Sequence, residues 1–256
     1  MDGNYQNYIN RVVQMTLPAN YEQQLQNIQS SPKFDGHKPV SFPGYTIITP
    51  PNGESHVNKE FYQQLKDVQG QLVTELGVDF FIGVPSDSFH LTMADLIWDN
   101  LYLDAVAQND QFDQLLTDRI DYVFKEYQGL IKDVHCLEFE VLGLSIFPRA
   151  ISVCLSPTED SYDPIIKLRK LIYQDEKIVN LGIEQSYEFA AHITLGYFGN
   201  ISENIDLKQV ESAVKTINDQ WLENAPAIFT VNRLELRKFS DMNTYFREDN
   251  WAVLDL

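Results

Sequence analysis

The chain is short of cysteine, of basic residues and of long apolar runs, and each shortage removes a class of protein. Two cysteines, Cys136 and Cys154, among 256 residues cannot build a disulfide framework. Both sit in apolar, strand-like segments, where a buried free thiol is the expected state. Lysine and arginine together number 19 against 37 aspartates and glutamates, a formal net charge of −18. Proteins that grip long nucleic acids do so by neutralising phosphates with basic side chains. A long duplex is therefore not the expected partner, whereas a small nucleotide or an RNA 3′ end is compatible with this charge.

The longest apolar stretches, such as Val78 to Val84, are too short to span a bilayer. The polar start MDGNYQNYIN lacks the basic-then-apolar pattern of a secretory signal. No membrane partner is expected, and the cytoplasm is the expected compartment. Chemical signatures are missing too. There is no His-x-His, no His-Glu-x-x-His and no paired Cys-x-x-Cys, so neither zinc nor any other metal is expected. No Gly-x-Ser-x-Gly elbow occurs, and no glycine-rich loop leads into a helix as a nucleoside triphosphate site requires. No cofactor is expected.

What the chain does contain is core material. Hydrophobic residues make up 44% and aromatic residues 12%, enough for one large domain or two small lobes. Residues 1–32 read as an N-terminal helical extension, with a short helix over Tyr21 to Ile28, and residues 33–256 as the main domain. Gly44 to Thr49 is a β-branched strand stopped by Pro50-Pro51. Asn58 caps a helix to about Leu76, in which Phe61, Leu65, Val68, Leu72 and Leu76 recur at helical spacing. Val78 to Val84 and Phe89 to Ile97 follow, split by the turn Pro85 to Ser88. A second helix runs from about Leu103 to Tyr127, and strands cover Leu137 to Leu144 and Ala150 to Leu155. Asp163-Pro164 opens a helix to about Tyr173, with proline in its first turn. The spacing then predicts a strand over Phe189 to Phe198, a helix over Asp206 to Leu222 and one long strand over Ile228 to Phe239. Helix, His-x-Thr strand, helix and strand occur twice in this order, which points to an α+β fold built from a duplicated unit.

The two histidine segments are Phe89-His90-Leu91-Thr92-Met93 and Ala191-His192-Ile193-Thr194-Leu195. Alternation in a strand puts His90 and Thr92 on one face with Phe89, Leu91 and Met93 on the other. His192 and Thr194 are arranged in the same way. Five histidines and eleven threonines give roughly 0.2 chance occurrences of His-x-Thr, so two by chance is an event on the order of 2%. The chemistry suits a phosphodiester. One imidazole removes a proton from the attacking oxygen, the other protonates the departing sugar oxygen, and histidine titrates near operating pH. The threonine hydroxyls donate to the non-bridging oxygens, where charge builds in the transition state.

Paired His-h-Thr-h strands (h, hydrophobic) resemble the signature of the 2H phosphoesterase superfamily. Phe139 to Pro148 resembles that family's second-lobe hairpin. Lys33-Phe34-x-x-Gly36, Phe42-Pro43-Gly44, Phe89 to Ile97 and Phe239 to Met242 resemble an uncharacterised bacterial-type subgroup. The resemblance spans about residues 33 to 256. It implies a bilobed, duplicated fold with two antiparallel or mixed sheets, flanking helices and a central groove. It also implies a metal-independent phosphodiesterase acting on a 2′,3′-cyclic phosphate or a related nucleotide or RNA-end phosphodiester, with His90, Thr92, His192 and Thr194 as the catalytic residues. The alternative is a module on the same fold that binds a nucleotide or RNA end without turning it over.

Further candidates stand behind these four. Arg149, in the turn Phe147-Pro148-Arg149, is placed either to meet a phosphate or to be a solvated turn residue. Tyr45, Tyr197, Tyr245 and Arg247 are candidates to stack on or clamp a base or sugar, with structural roles as the alternative. Asp95, three residues after Thr92, is expected on the opposite face of the strand from His90. His37, His56 and His135 have no repeated context and are expected to be surface or structural residues.

Overall fold

The glutamine- and tyrosine-rich N-terminus folds into two helices, α1 (Tyr5–Thr16) and α2 (Tyr21–Leu25). Asn4 caps α1 by accepting from the Asn7 amide at 2.9 Å, and Tyr8, Val12 and Thr16 form its buried stripe. This is a computed structural model that describes residues 3–132 and 134–256; the first two residues of the expected extension lie outside the described residues. The main domain opens with the small hairpin β1 (Phe34–Asp35) and β2 (Lys38–Pro39), then β3 (Gly44–Ile48), α3 (Lys59–Leu76), β4 (Phe81–Gly83) and β5 (Thr92–Trp98). Helices α4 (Asp99–Gln108) and α5 (Phe112–Leu130) follow, then β6 (Leu137–Phe147), β7 (Ala150–Pro157), α6 (Glu159–Tyr173) and α7 (Glu176–Val179). The remaining elements are β8 (His192–Phe198), α8 (Leu207–Leu222), β9 (Ile228–Val231), β10 (Arg233–Phe239), β11 (Tyr245–Phe246) and β12 (Val253–Asp255).

The fold is α+β and two-lobed. The first lobe holds an antiparallel sheet in the order β11-β10-β3-β5, with β12 also on β10. The second holds the antiparallel sheet β4-β8-β7-β6-β9. Helices α4 and α5 pack on the first sheet, α3 and α8 on the second, and α6 touches both. One apolar core runs through both lobes, from Ile47, Leu91 and Leu236 to Val153, Ile193 and Phe229. Among the described residues no helix is long and apolar enough to cross a membrane.

The chain changes lobe four times, between β3 and β4, β4 and β5, β5 and β6, and β9 and β10, and the second and last of these crossings were hidden in the sequence. β4 lies beside β8 in the second sheet, whereas β5 lies beside β3 in the first. The expected long strand over Ile228 to Phe239 breaks at Asn232. Its first part pairs with β6 in the second lobe and its second part with β3 in the first.

Other expectations shift for local reasons. The helix expected from Leu103 to Tyr127 is two helices, because Asn109 turns the chain: its side chain accepts from Gln111 and its carbonyl from Phe112. Asn58 precedes α3 in the left-handed region (φ 60°), but its side chain does not cap the helix. Its amide pairs instead with the Thr230 backbone, at 2.7 and 3.0 Å. Helix α6 begins at Glu159, ahead of the expected Asp163-Pro164 start, so Pro164 sits inside the helix. Cys154 is buried as expected, and burial raises its pKa to about 12, while Cys136 is only partly buried.

Two irregularities in the strands decide which side chains share a face. In β5 the ladder to β3 pairs Thr92 with Ile48 but Ala94 with Ile47, and Asp95 with Thr46 but Ile97 with Tyr45. Met93 and Leu96 are therefore extra residues, and alternation becomes a repeat of three that turns Thr92, Asp95 and Trp98 to one side. In β8 the ladder to β7 skips Leu195, so Tyr197 joins His192 and Thr194 on one face.

Gly196 closes β8 tightly. A Cβ there would lie 2.5 Å from the Ile82 carbonyl and 2.6 Å from the Phe81 ring. Gly196→Ala is expected to destabilise the protein by about 1–3 kcal/mol through overpacking. Gly70→Ala, in α3 with open space around it, is expected to stabilise it by up to about 1 kcal/mol. Equilibrium denaturation of the two variants checks both signs.

Candidate active site

The site grows from the two His-x-Thr segments. His90 lies two residues before β5, held there by two bonds of the neighbouring leucine. The Leu91 amide donates to Thr49 Oγ1 at 3.0 Å, and the Leu91 carbonyl accepts from the Thr49 amide, also at 3.0 Å. His192 is the first residue of β8, opposite Cys154 of β7. Thr92 and Thr194 follow on the same faces as their histidines. All four residues line one cavity of about 360 Å³ between the lobes.

The histidines share one local geometry. His90 Nδ1 is 2.7 Å from the Ser88 carbonyl, and His192 Nδ1 is 2.7 Å from the Ala190 carbonyl. A carbonyl can only accept, so each Nδ1 carries the proton and donates it two residues back along its own chain. The Nε2 atoms then bear lone pairs and have no hydrogen-bond partner among the described residues. An aromatic ring supports each imidazole: Tyr245 lies edge-on to His90 at 4.4 Å between centroids, and Phe147 lies tilted against His192 at 4.8 Å.

Burial holds both imidazoles below the ordinary histidine range. For His90 desolvation dominates and lowers the pKa from 6.5 to about 4. The Ser88 carbonyl and Asp95 oppose the shift, while His192 and Arg237 add to it. His192 is lowered by desolvation first, with the Ala190 carbonyl and Asp95 opposing and Lys33 adding to the shift.

Of the further candidates, Tyr197, Tyr245 and Arg149 line the cavity. The Tyr197 hydroxyl donates to Met242 Sδ at 3.3 Å, and the Tyr245 hydroxyl approaches the same sulfur at 4.0 Å. A tyrosine from each lobe thus meets at one methionine. Arg149 is exposed at the rim, where it donates to Gln29 Oε1 at 3.3 Å. Tyr45 and Arg247 do not reach the cavity. Tyr45 is fully buried between Tyr102 and Trp251, and Arg247 donates to the backbone carbonyls of Asp249 and Trp251. His37, His56 and His135 lie on the surface.

Asp95 corrects the expectation drawn from strict alternation. The extra residue Met93 shifts the strand by one, and Asp95 turns into the cavity beside Thr92. Its carboxylate accepts from the Tyr187 hydroxyl, and its charge reaches both histidines. Lys33 and Tyr187 also line the cavity, as do the aromatic residues Phe42, Trp98 and Phe239. The resemblance motifs contained Lys33 and Phe42, but nothing in the local sequence showed that they face the histidines. Among the described residues no three His, Cys, Asp or Glu are grouped so as to hold a metal ion.

No family model matches the chain, and no curated protein matches its sequence. Solved structures do match its fold. A conserved Agrobacterium tumefaciens protein of unknown function is 13% identical and superimposes with a TM-score of 0.63, over 90% of this chain and 96% of that one. Two slighter likenesses are Kluyveromyces marxianus Usb1 (11% identity, TM-score 0.47, 84% and 98% coverage) and Escherichia coli LigT complexed with 3′-AMP (13%, 0.41, 85% and 96%). The first shows a shared fold; function has to be argued from the site.

An imidazole with a depressed pKa binds its proton more readily in the unfolded chain. The folded state therefore loses stability as pH falls from about 6.5 towards 4. Urea denaturation across this window is expected to show a shallower decline for His90→Asn than for the wild type. Equal slopes would remove the claim that His90 is held neutral.

Proposed function

We propose that the chain is a 2H-type phosphodiesterase that hydrolyses a 2′,3′-cyclic phosphate, or a related nucleotide or RNA-end phosphodiester, without a metal or cofactor. Residues 33–256 form the two-lobed phosphoesterase unit, residues 1–32 are its N-terminal extension, and the cytoplasm is its compartment. The observation that carries this reading is the matched pair of His-x-Thr segments, one from each lobe, lining a single cavity with both Nδ1 atoms committed to backbone carbonyls.

That geometry leaves two Nε2 atoms for chemistry. In the proposed reaction one Nε2 takes a proton from water as the water oxygen bonds to phosphorus. The other histidine, protonated at Nε2, gives its proton to the sugar oxygen as the P–O bond breaks. Burial keeps the base neutral, while the phosphate anion and Asp95 favour the protonated form of its counterpart. Thr92 and Thr194 donate to the non-bridging oxygens. Tyr197 and Tyr245 supply the walls against which a sugar or base would rest, and Arg149 stands at the mouth. The 360 Å³ of the cavity suits a nucleotide or a strand end.

The test is a turnover assay after chelator treatment with 2′,3′-cyclic nucleotides, 3′,5′-cyclic nucleotides, 2′-5′ oligoadenylate and cyclic-phosphate-ended RNA. Wild-type turnover is expected to survive chelation, and His90→Ala or His192→Ala is expected to lower it by roughly 10²- to 10⁴-fold. A loss below about tenfold would refute the acid–base assignment. Tight binding of an unchanged nucleotide would favour the binding-module reading instead.

A further inference from the structure

Lys33 brings a positive charge into this cavity that no other residue balances at close range. Its side chain lines the cavity with His192 and Thr194. Among the described residues no carboxylate lies within ion-pairing distance of its ammonium, which rests instead over two rings, 4.8 Å from the centroid of Phe42 and 5.2 Å from that of Tyr197. Burial pulls its pKa below that of an ordinary lysine; Asp95 opposes this and Arg149 adds to it. The same charge contributes to lowering His192, so the ammonium is electrostatically close to that imidazole.

The backbone at Lys33 is pinned on both sides. The Ser31 amide donates to the Phe198 carbonyl at 2.8 Å, the Lys33 amide to Ser31 Oγ at 3.3 Å, and the Val40 amide to the Lys33 carbonyl at 3.0 Å. The lysine is thus presented from a segment fixed at the C-terminal end of β8. A desolvated ammonium costs free energy unless a counter-charge meets it, and a chain of net charge −18 has many carboxylates from which to supply one. Among the described residues none is supplied within ion-pairing distance, and Asp95 acts on the ammonium only from farther across the cavity. The remaining cation at the cavity, Arg149, is exposed at the rim and bonded to Gln29.

We propose that Lys33 is the anion anchor of the cavity: its ammonium binds a non-bridging oxygen of the substrate's phosphate on the His192 side. The assignment rests on the phosphodiesterase reading for its substrate, but the anchor can be tested without turnover. It also limits the substrate class. One inner cation matches one phosphodiester anion, so the cavity takes a single phosphate and any further phosphates of an oligonucleotide stay outside, near Arg149.

The experiment uses the full chain with Lys33→Met, which keeps the stem against Phe42 and Tyr197, and Lys33→Arg, which keeps the charge. Calorimetric titration with inorganic phosphate and adenosine 2′-monophosphate is expected to show roughly 10- to 100-fold weaker binding to Lys33→Met, largely restored in Lys33→Arg. The NMR titration of His192 in the free protein is expected to move upward in Lys33→Met, since a neighbouring positive charge has gone. Unchanged phosphate affinity in Lys33→Met, or no phosphate binding by the wild type, would overturn the anchor. If phosphate binding behaves as expected but no diester is turned over, the anchor stands and the hydrolytic reading falls. Histidine-dependent turnover with an unchanged KM in Lys33→Met would leave the hydrolytic reading standing and remove the anchor.

Discussion

Arg169 projects from α6 into the seam behind both histidine segments, and the cavity depends on what it holds there. It is 5% exposed. Its Nη1 donates to the Met93 carbonyl at 2.6 Å, and its guanidinium lies 4.8 Å from the ring centroid of Phe189. Met93 is the extra residue that follows Thr92, and extra residues leave the ladder short of a partner. Phe189 lies three residues before His192. A single planar cation thus touches the backbone of one histidine strand and the approach to the other. Four residues along the same helix, the Tyr173 hydroxyl donates to the Asp95 carbonyl at 2.7 Å. A buried charge in such a network is costly to leave unpaired, so the two segments cannot drift apart without exposing that cost.

The N-terminal helices add a second brace on the His192 side. The Ala191 amide donates to the Tyr8 hydroxyl at 3.2 Å, Arg11 donates to the Phe189 carbonyl, and the Gln29 amide donates to the Pro148 carbonyl at 2.7 Å. These contacts hold the backbone on which His192 and Arg149 are mounted. Electrostatics then works inside a rigid frame. The protein is strongly acidic, yet around the histidines the balance is local: Asp95 from one lobe, Lys33 from the edge of the other, and desolvation acting on everything between them. Low-dielectric walls make these few charges count for more than the net charge of the surface.

Several features were legible before any fold was known. The apolar spacing of Phe61, Leu65, Val68 and Leu72 gave a helix at its right place, because a 3.6-residue repeat needs no tertiary partner to be visible. The pairs His90–Thr92 and His192–Thr194 could be recognised because two residues apart on a strand means one face. Asp95 was misread for the same reason: alternation holds only while the ladder is regular, and the register shift at Met93 is set by pairing with β3. Tyr45, read as either a ligand residue or a structural one, is core, since a tyrosine's environment is decided by what packs over it. The crossings from β4 to β5 and from β9 to β10 left no sequence mark of a change of lobe. Asn232 is a single residue between two apolar runs, and only sheet pairing shows that they part there.

What the amino-acid sequence determined by itself was local and periodic: the elements, the α+β class, the doubled motif and the chemistry two imidazoles and two hydroxyls can perform. What only the tertiary structure decided was convergence. It brought the two motifs to one cavity, turned Asp95 and Tyr197 inward through matched register shifts, placed Lys33 beside His192, and sent Tyr45 and Arg247 elsewhere. The physical reason is range. Propensity and periodicity act over a few residues of chain, whereas a site assembled from residues 33, 95 and 192 exists only once long-range strand pairing and core packing have offset the entropy of bringing them together.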